Sequence, residues 1–374
     1  MIRWATVRPR TSTPSIAGVP AAIARPPRQR EVIHEVVVLP TGVDQRGDVL
    51  ERGALADAMT RRTPGVTIRD DWNRPVGRVL SAVELPQGDP RLAVRTEAEW
   101  RAAAGPPPPL VERRLLGSAA PRPYRRPRVL DLTRVIAGPV ATRTLAAHGA
   151  DVLRIDAPGR PEIPLQAFDT LPGKRSALLD LGARRDVLAE LLAGADVVIA
   201  GYRPGALDRF GLAPEDLARR HPGLVVVTLS AWGHRGPWAS RRGFDSLVQA
   251  ACGIAVTEGS AEQPGALPAQ VLDHATGYLA AAGALLALAE QREQGGTHHV
   301  RLALAGTAAW LQGLPRAEPA TVPDVDPGPY LQDLDAPAGR LTVAVPPGTV
   351  GGRPLSWPPP PPSFGTAAPD WAGG

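Results

Sequence analysis

Short apolar runs rich in Val, Leu and Ile recur from residue 128 onward and alternate with segments of helical spacing. The runs predict strands at 129–132, 151–155, 196–200, 224–230 and 298–303. The segments between them predict helices at 140–148, 185–193, 244–252 and 275–294. Apolar strands that alternate with helices are typical of a parallel sheet covered on both faces. The pattern therefore predicts an α/β fold with a mostly parallel, Rossmann-like sheet.

The remaining chain differs in composition, which indicates several segments around this α/β region. Residues 1–30 mix Pro, Arg, Ser and Thr without periodicity, as disordered leaders do. Pro recurs throughout the C-terminal part, including the run from Pro358 to Pro362, so that part should lie extended over a surface. The predicted organisation is a leader (1–30), a small β-rich segment (31–92), a linker (93–127), the α/β domain (128–314) and a Pro-rich C-terminal extension (315–374).

Composition narrows the class of ligand. Hydrophobic residues make up 43% of the chain and aromatic residues only 4%, so the core must consist mostly of Ala, Leu and Val. The net charge is +5, from 42 basic and 37 acidic residues, and nearly all the basic residues are Arg. Because these Arg residues are scattered along the chain, they favour a phosphate-rich small ligand over a nucleic acid.

Cysteine content and hydropathy restrict the remaining possibilities. The single cysteine, Cys252, excludes an internal disulfide and a cysteine-based metal cluster, and its apolar neighbours predict that it is buried. His298 and His299 have no Cys or carboxylate at ligand spacing, so we predict no metal site. Residues 1–17 lack the apolar core of a signal peptide, and the apolar run 275–289 is too short to span a membrane. We expect a cytoplasmic protein without membrane association.

Three places carry candidate chemistry on the residues alone. The loop that follows the first predicted strand contains Gly138 and leads into a helix, so its backbone N–H groups could face an anionic ligand. Lys174 and Arg175 lie in P-G-K-R-S, which is either a solvated turn or a site of phosphate capture. Asp273 directly precedes the predicted helix 275–294, where Asp is a favoured N-cap.

Four motifs in this order resemble the class III coenzyme A transferases, the family of formyl-CoA transferase and carnitine-CoA transferase. They are R-V-L-D-L-T-R-V-I-A-G-P (128–139), P-G-K-R-S-A-L-L-D-L (172–181), G-Y-R-P-G-A-L-D-R-F-G-L (201–212) and L-D-H-A-T-G-Y-L (272–279), and the resemblance covers about residues 96–374. It implies that Asp273 is a nucleophile, held ionised by the helix N-terminus. It also implies acyl-CoA and a small carboxylic acid as substrates, no tightly bound cofactor, and a homodimer.

The same resemblance implies a set of contacts to coenzyme A. It implies that Arg154 binds the adenosine phosphates, and the residues alone are nearly as consistent with a structural salt bridge. Tyr202 can cover the adenine ring, because an aromatic face stacks on a base. The residues implied in CoA binding are Arg134, Val135, Ile136, Ala137, Arg154, Lys174, Arg175, Tyr202 and Arg203.

Two alternatives remain open at this point. The related α-methylacyl-CoA racemases carry G-H-D where this chain has Gly243, Phe244 and Asp245, so racemisation lacks its second base at the expected place. A degenerate CoA-binding protein is the other alternative, because the chain is shorter after the long helix than full-length relatives. Residues 31–92 resemble part of the tailed-phage prohead protease family, with Asp70 where that family has its catalytic His.

Overall fold

The structure is a computed structural model that describes residues 67–69, 75–78, 96–160, 162, 164–260, 263–315, 326–337, 339–358 and 361–371. In the N-terminal part, β1 (Thr67–Arg69) and β2 (Pro75–Arg78) form a two-stranded antiparallel sheet. The predicted leader, Asp70 and most of the predicted β-rich segment lie outside the described residues.

A seven-stranded sheet forms the centre of the α/β region, in the order β3-β9-β8-β7-β4-β5-β6. All neighbouring pairs are parallel except β3 with β9. The predicted α/β class with a mostly parallel sheet is therefore confirmed. Its strands are β3 (Glu112–Gly117), β4 (Arg128–Leu132), β5 (Asp151–Asp156), β6 (Lys174–Leu178), β7 (Val197–Ala200), β8 (Val225–Ser230) and β9 (Thr297–Ala303).

The chain reverses its direction of growth at β4. It first adds β5 and β6 on one side of β4, and then returns to add β7, β8 and β9 on the other side. The loops that leave β4 and β7 therefore diverge at the carboxyl edge of the sheet. In open α/β sheets, this point of reversal opens a crevice in which ligands bind.

Helices cover both faces of the sheet. They are α1 (Glu97–Ala104), α2 (Ala137–Ala147), α3 (Pro164–Thr170), α4 (Arg185–Gly194), α5 (Pro214–Arg220), α6 (Asp245–Ala251), α7 (Ile254–Thr257), α8 (Val271–Gln294) and α9 (Leu304–Gln312). Neighbouring residues of β4 point to opposite faces, as in any strand. Val129 packs with Leu145 of α2 and Ala284 of α8, whereas Leu130 packs with Leu191 of α4 and Leu217 of α5.

Helix α8 is apolar because most of it belongs to the core. By length and composition it could cross a membrane, but more than half of its apolar stretch is buried inside the fold. It packs closely on α2: a Cβ added at Gly277 would lie 2.6 Å from the Ala137 carbonyl oxygen. Only a glycine allows the two helices to approach to this distance. Burial in the protein interior thus accounts for the hydropathy of this helix.

Several elements differ from the sequence prediction. Helix α1 and strand β3 lie in the predicted linker, and β3 joins the central sheet. Lys174 and Arg175 begin strand β6 rather than lying in a loop. Helix α8 begins at Val271, four residues before the predicted start. Strands β3 and β6 begin with charged residues, which conceal them in the sequence pattern.

The C-terminal part also pairs with itself and with the sheet. Strands β10 (Leu331–Ala336) and β11 (Gly339–Ala344) form a hairpin that the sequence did not predict, and β12 (Thr349–Val350) pairs with β13 (Arg353–Pro354). Further on, the chain lies along β6, where the Ala367 N–H donates to the Ser176 carbonyl at 2.8 Å. Trp371 Nε1 donates to the Leu191 carbonyl at 2.9 Å and so anchors this segment.

Candidate functional site

Asp273 lies inside the first turn of α8. The helix begins at Val271 after an N-cap at Gln270, and the side chain of Gln270 makes no capping hydrogen bond. Asp273 is therefore the third residue of the helix, and the prediction that it precedes the helix as its N-cap was wrong. Only 7% of Asp273 is exposed, so its carboxylate lies almost wholly inside the protein.

A second carboxylate, Asp245, holds this turn in place. It is the first residue of α6 and is buried. One carboxylate oxygen accepts the Asp273 N–H at 2.9 Å, and the Leu272 N–H donates to the same carboxylate. The Gln249 side chain donates to the other oxygen. Sequence analysis gave Asp245 no role beside Asp273, because the two aspartates are 28 residues apart and only the fold brings them together.

The electrostatic state of Asp273 follows from burial. Burial and the nearby Asp245 raise the pKa of Asp273 to about 8. No described residue donates a hydrogen bond to the Asp273 carboxylate, so nothing in this part of the chain offsets the loss of water. Burial thus acts against the expected ionisation of Asp273 by the helix N-terminus, which stays a prediction. Burial also raises the pKa of Asp245.

The loop between β4 and α2 lies next to Asp273. Gly277, one turn further along α8, contacts the Ala137 carbonyl, and Leu272 packs in the same cluster as Ala137. Gly138 is required by this loop itself, because a Cβ there would lie 2.3 Å from the Thr133 side chain. The structure thus brings Asp273 together with the predicted loop.

Val135 in this loop has a strained backbone. Its φ is +70°, and it is the single non-glycine residue with positive φ among the described residues. Its N–H donates to Glu162 Oε2 at 3.1 Å, which fixes the strained conformation. β-Branched side chains rarely adopt this region, and such outliers cluster at functional sites.

Val135→Gly is expected to relieve this strain. Glycine adopts positive φ without steric cost, so the free energy of unfolding should rise by about 1 kcal/mol. Urea denaturation of the variant and the wild type measures the change. Val152→Gly, in a strand with ordinary backbone angles, serves as the control and should destabilise instead. A loss of stability in Val135→Gly would show that the valine side chain contributes more than the strain costs.

Lys174 points into the protein and not toward the crevice. Its side chain has no exposed surface. Its Nζ lies 3.0 Å from Asp131 Oδ2 and 3.0 Å from the Pro139 carbonyl oxygen. Asp131 also accepts hydrogen bonds from Thr142 Oγ1 at 2.6 Å and from the Thr133 N–H at 3.0 Å. In this conformation Lys174 holds the β4–α2 loop.

Arg154 and Arg175 are likewise engaged by the protein. Arg154 is fully buried, with Nε 2.7 Å from Asp156 Oδ2 and Nη2 2.6 Å from Glu162 Oε2. Arg175 donates to the Asp370 carbonyl at 2.6 Å and lies 3.3 Å from Asp151. These contacts support the salt-bridge reading of Arg154. The guanidiniums of Arg154 and Arg175 are therefore both engaged by protein groups.

Three of the predicted CoA-binding residues lie at the crevice surface. Tyr202 is 40% exposed, and Arg203 is exposed next to it on the loop that follows β7. Arg203 Nη1 donates to the Ser240 carbonyl at 3.3 Å. Arg134, on the loop after β4, is half-buried and lies 3.5 Å from Glu162 Oε1. These side chains flank the point of strand reversal, where a ligand would bind.

Metal chemistry has no support from the described residues. They contain no group of three His, Cys, Asp or Glu side chains that could hold a metal ion. His298 contacts the Gly295 carbonyl at 3.0 Å, and His299 contacts Thr228. Cys252 is buried, as predicted from its apolar neighbours.

The comparisons with known proteins identify relatives for the α/β region. The family model for CoA-transferase family III matches residues 126–328. A probable fatty acyl-CoA transferase of Mycobacterium tuberculosis is 34% identical over 201 residues, covering 50% of this chain and 51% of that protein. The succinyl-CoA–L-malate CoA-transferase beta subunit of Chloroflexus aurantiacus is 32% identical, covering 50% of each chain. The formyl-CoA:oxalate CoA-transferase of Streptomyces avermitilis is 33% identical, covering 47% of this chain and 46% of that one.

The chain is also similar to solved structures. A crystal structure of a hypothetical protein from Mycobacterium tuberculosis is 33% identical, with a TM-score of 0.48, and covers 52% of this chain and 57% of that one. A CAIB/BAIF family protein from Brucella suis is 25% identical, with a TM-score of 0.45, and covers 59% and 65%. The chain spans about half the length of the curated relatives it matches.

Proposed function

Because this chain belongs to CoA-transferase family III, we propose that it moves coenzyme A between an acyl-CoA thioester and a carboxylic acid, with Asp273 as the nucleophile. The observation that carries the proposal is the position of Asp273. Its carboxylate lies in the first turn of α8, buried beside the β4–α2 loop, at the carboxyl edge of the sheet where the strand order reverses. Ligands of open α/β sheets bind at this place.

The proposed reaction passes through four steps, and the first is an attack by the Asp273 carboxylate. It attacks the thioester carbonyl, the C–S bond breaks, and CoA thiolate leaves an aspartyl–acyl anhydride. The thiolate then attacks the aspartyl carbonyl, which releases the first acid and gives an aspartyl–CoA thioester. The acceptor carboxylate attacks this thioester and releases the thiolate again, forming a new anhydride. Attack of the thiolate on the acceptor's carbonyl gives the new acyl-CoA and restores Asp273. Acyl activation is conserved throughout, so the exchange needs no ATP.

Protonation of Asp273 limits the first step. A protonated carboxyl group is a poor nucleophile, and the pKa of Asp273 is about 8 in the free protein. The rate of acyl transfer should therefore rise with pH through this value. Bound coenzyme A adds charge and changes solvation nearby, so the pH profile of kcat/KM, which reports the free protein, is the appropriate measurement.

Asp245→Asn is expected to move the alkaline rise of kcat/KM to lower pH. The substitution removes the negative charge that helps to raise the pKa of Asp273, while the remaining amide oxygen can still accept a backbone N–H. Desolvation is the larger cause of the raised pKa, so the shift should be about one pH unit or less. Asp186→Asn, at an exposed aspartate in the first turn of α4, is the control and should leave the profile in place. An unchanged profile for Asp245→Asn would mean that Asp273 does not govern it.

We also propose which residues meet coenzyme A. The loop that contains Val135, Ile136 and Ala137 contacts the start of α8 and can line the path of the thioester to Asp273. Tyr202 and Arg203 flank the same crevice from the β7 side and can contact the nucleotide part. Arg134, Lys174, Arg154 and Arg175 already contact protein carboxylates or carbonyls. We assign the three buried or paired members Lys174, Arg154 and Arg175 to support of these loops.

The experiment that tests the proposal is covalent trapping on the full chain. The protein is incubated with a panel of acyl-CoAs, quenched with hydroxylamine or borohydride, and digested for mass spectrometry. A mass change on the peptide with Asp273, absent from Asp273→Ala, is the expected result and also names the acyl donor. Exchange of the α-proton in deuterated water without an adduct would instead support a racemase. Binding of coenzyme A with neither signal would support a non-catalytic protein and overturn the proposed activity.

The homodimer that the family resemblance implies stays a prediction. Light scattering during size-exclusion chromatography measures the mass directly. The 374-residue chain has a mass of 39.3 kDa, so a dimer gives twice that value.

A further inference from the structure

A cleft separate from Asp273 opens at the carboxyl ends of β7, β8 and β9. Its cavity volume is about 240 Å³. Its lining includes the apolar residues Pro109, Leu207 and Pro214 and the polar residues Thr228, His299 and Arg301. Apolar walls with a few polar groups are the features of a small-molecule site.

This cleft lies on the opposite face of the sheet from α8. Val227 and Val300 pack toward α2 and α8, whereas Val226 packs toward α4 and α5. Thr228 shares the face of Val226 because side chains alternate along a strand, and Arg301 pairs with Thr228 in the neighbouring strand. Thr228 and Arg301 therefore lie on the face of the sheet opposite to α8. Tyr202 and Arg203, which we propose to contact coenzyme A, also line this cleft, so the two proposed sites adjoin each other.

Arg301 is the main reason to expect an anion here. Its side chain is only 16% exposed, yet its guanidinium makes no hydrogen bond to a described residue. The nearest carboxylate oxygens are Oε1 of Glu112 at 3.5 Å and Oε1 of Glu215 at 4.0 Å. A guanidinium carries five N–H donors in a planar fork that matches a carboxylate. An enclosed Arg with weak ion pairs and unused donors in the lining of a cleft is therefore suited to a planar oxyanion.

His299 provides a second, independent indication of a ligand, because one of its ring nitrogens lacks a hydrogen-bond partner among the described residues. It is 1% exposed and lines the same cleft. Its Nε2 lies 2.9 Å from Thr228 Oγ1, but its buried Nδ1 has no hydrogen-bond partner among the described residues. Burial lowers the pKa of His299 to about 3, so the ring is neutral at physiological pH. Buried polar atoms without a partner are rare in folded proteins.

We propose that this cleft is a second ligand site, which binds a monoanionic carboxylate on Arg301 and holds the apolar body of that ligand against Pro109 and Pro214. The probe is benzoate, which combines a planar carboxylate with a flat apolar ring. Isothermal titration of the full chain should give saturable binding with a Kd on the order of 1 mM. Benzamide, which has the same shape without the charge, should bind at least tenfold more weakly.

Two substitutions of opposite sign test the assignment. Arg301→Met should weaken benzoate binding at least tenfold. Glu112→Gln should strengthen it about threefold, because Glu112 competes with the ligand for Arg301 at 3.5 Å. Arg235→Met is the matched control: its side chain is 79% exposed and also faces Glu112, at 3.9 Å, and binding should change less than twofold. Circular dichroism checks that each variant is folded, and Glu112→Gln keeps the test valid if Arg301→Met does not fold.

Other outcomes would overturn the proposal. No saturation up to about 20 mM benzoate, or equal affinity for benzamide, would show that the cleft does not select a carboxylate. Tighter binding of phenyl phosphate than of benzoate would assign the site to phosphate esters instead. Loss of benzoate binding in Asp273→Asn would place the ligand at the site on α8. Loss of benzoate binding in Asp273→Asn would not change the result of the trapping experiment. The carboxylate site and the CoA transfer can therefore be disproved independently.

Discussion

Replacing Asp273 with Asn is expected to abolish CoA transfer and, at the same time, to stabilise the fold at neutral and alkaline pH. The first effect follows from loss of the nucleophile, since an amide cannot form the anhydride. The second follows from burial, which raises the pKa of Asp273 from 3.8 to about 8. An ionised carboxylate at this position is unfavourable, and Asn has the same shape without the charge.

The sign of the pH dependence is fixed by the direction of this pKa shift. The folded chain holds the Asp273 proton more tightly than the unfolded chain. The unfolded state therefore has fewer bound protons, and stability falls as the pH rises from about 4 to about 8. Asn removes this loss. The variant should match the wild type near pH 4 and exceed it by roughly 4 kcal/mol at pH 7.

Urea denaturation at several pH values measures both curves. Asp186→Asn provides a matched control, because Asp186 is an exposed aspartate in the first turn of α4. Its hydrogen bond with Arg184 lowers the pKa of Asp186, so its replacement should lower stability at neutral pH and not raise it. If Asp273→Asn were no more stable than the wild type at pH 7, the Asp273 carboxylate would not be protonated in the folded protein.

Replacing Lys174 with Met is expected to destabilise the fold by about 3–5 kcal/mol, because it leaves Asp131 buried without its cation. Lys174 is the single lysine of the chain, and neither side chain of the pair is exposed. Thermal and urea denaturation measure the loss. A lysine that bound coenzyme A directly would behave differently: its replacement would weaken CoA binding and leave the free energy of unfolding almost unchanged.

A double variant shows whether the instability of Lys174→Met comes from the lost charge or from the lost packing of the lysine stem. Asp131→Asn combined with Lys174→Met removes both charges and leaves hydrogen-bonding capacity for Thr142. Much of the lost stability should return, since replacing both members of a buried pair is far less costly than removing one. A double variant as unstable as Lys174→Met alone would mean that the packing of the lysine stem, and not its charge, supports the β4–α2 loop.

The sequence pattern predicted those strands of the central sheet whose residue types are decided by burial. Strands β7 and β8 are largely buried and contain runs of Val, Leu and Ile, and the mostly buried strands β4, β5 and β9 keep apolar residues between their polar ones. Strand β6 was missed because it opens with Lys174 and Arg175, whose polar ends hide a buried strand. Strand β3 was missed because an edge strand with exposed Arg113 and Arg114 has no apolar run to reveal it.

The sequence motif identified the candidate nucleophile, but the environment of that residue became known only from the structure. The resemblance of L-D-H-A-T-G-Y-L singled out Asp273, and the structure brings that residue next to the predicted loop 134–138. Its environment could not be read from the motif. Asp245 supports the turn from 28 residues away, and burial sets the protonation state of Asp273.

The sequence by itself determined the α/β class, because burial decides which residue types recur and at what spacing. The resemblance of its motifs pointed to the family and to Asp273 as the candidate nucleophile. Only the tertiary structure decided which charges are neutralised inside the protein. Lys174 meets Asp131 across 43 residues, and Arg301 meets Glu112 across strands β9 and β3. Whether a basic side chain holds the fold or receives a ligand depends on such distant partners, because charge–charge interaction and desolvation act through space and not along the chain.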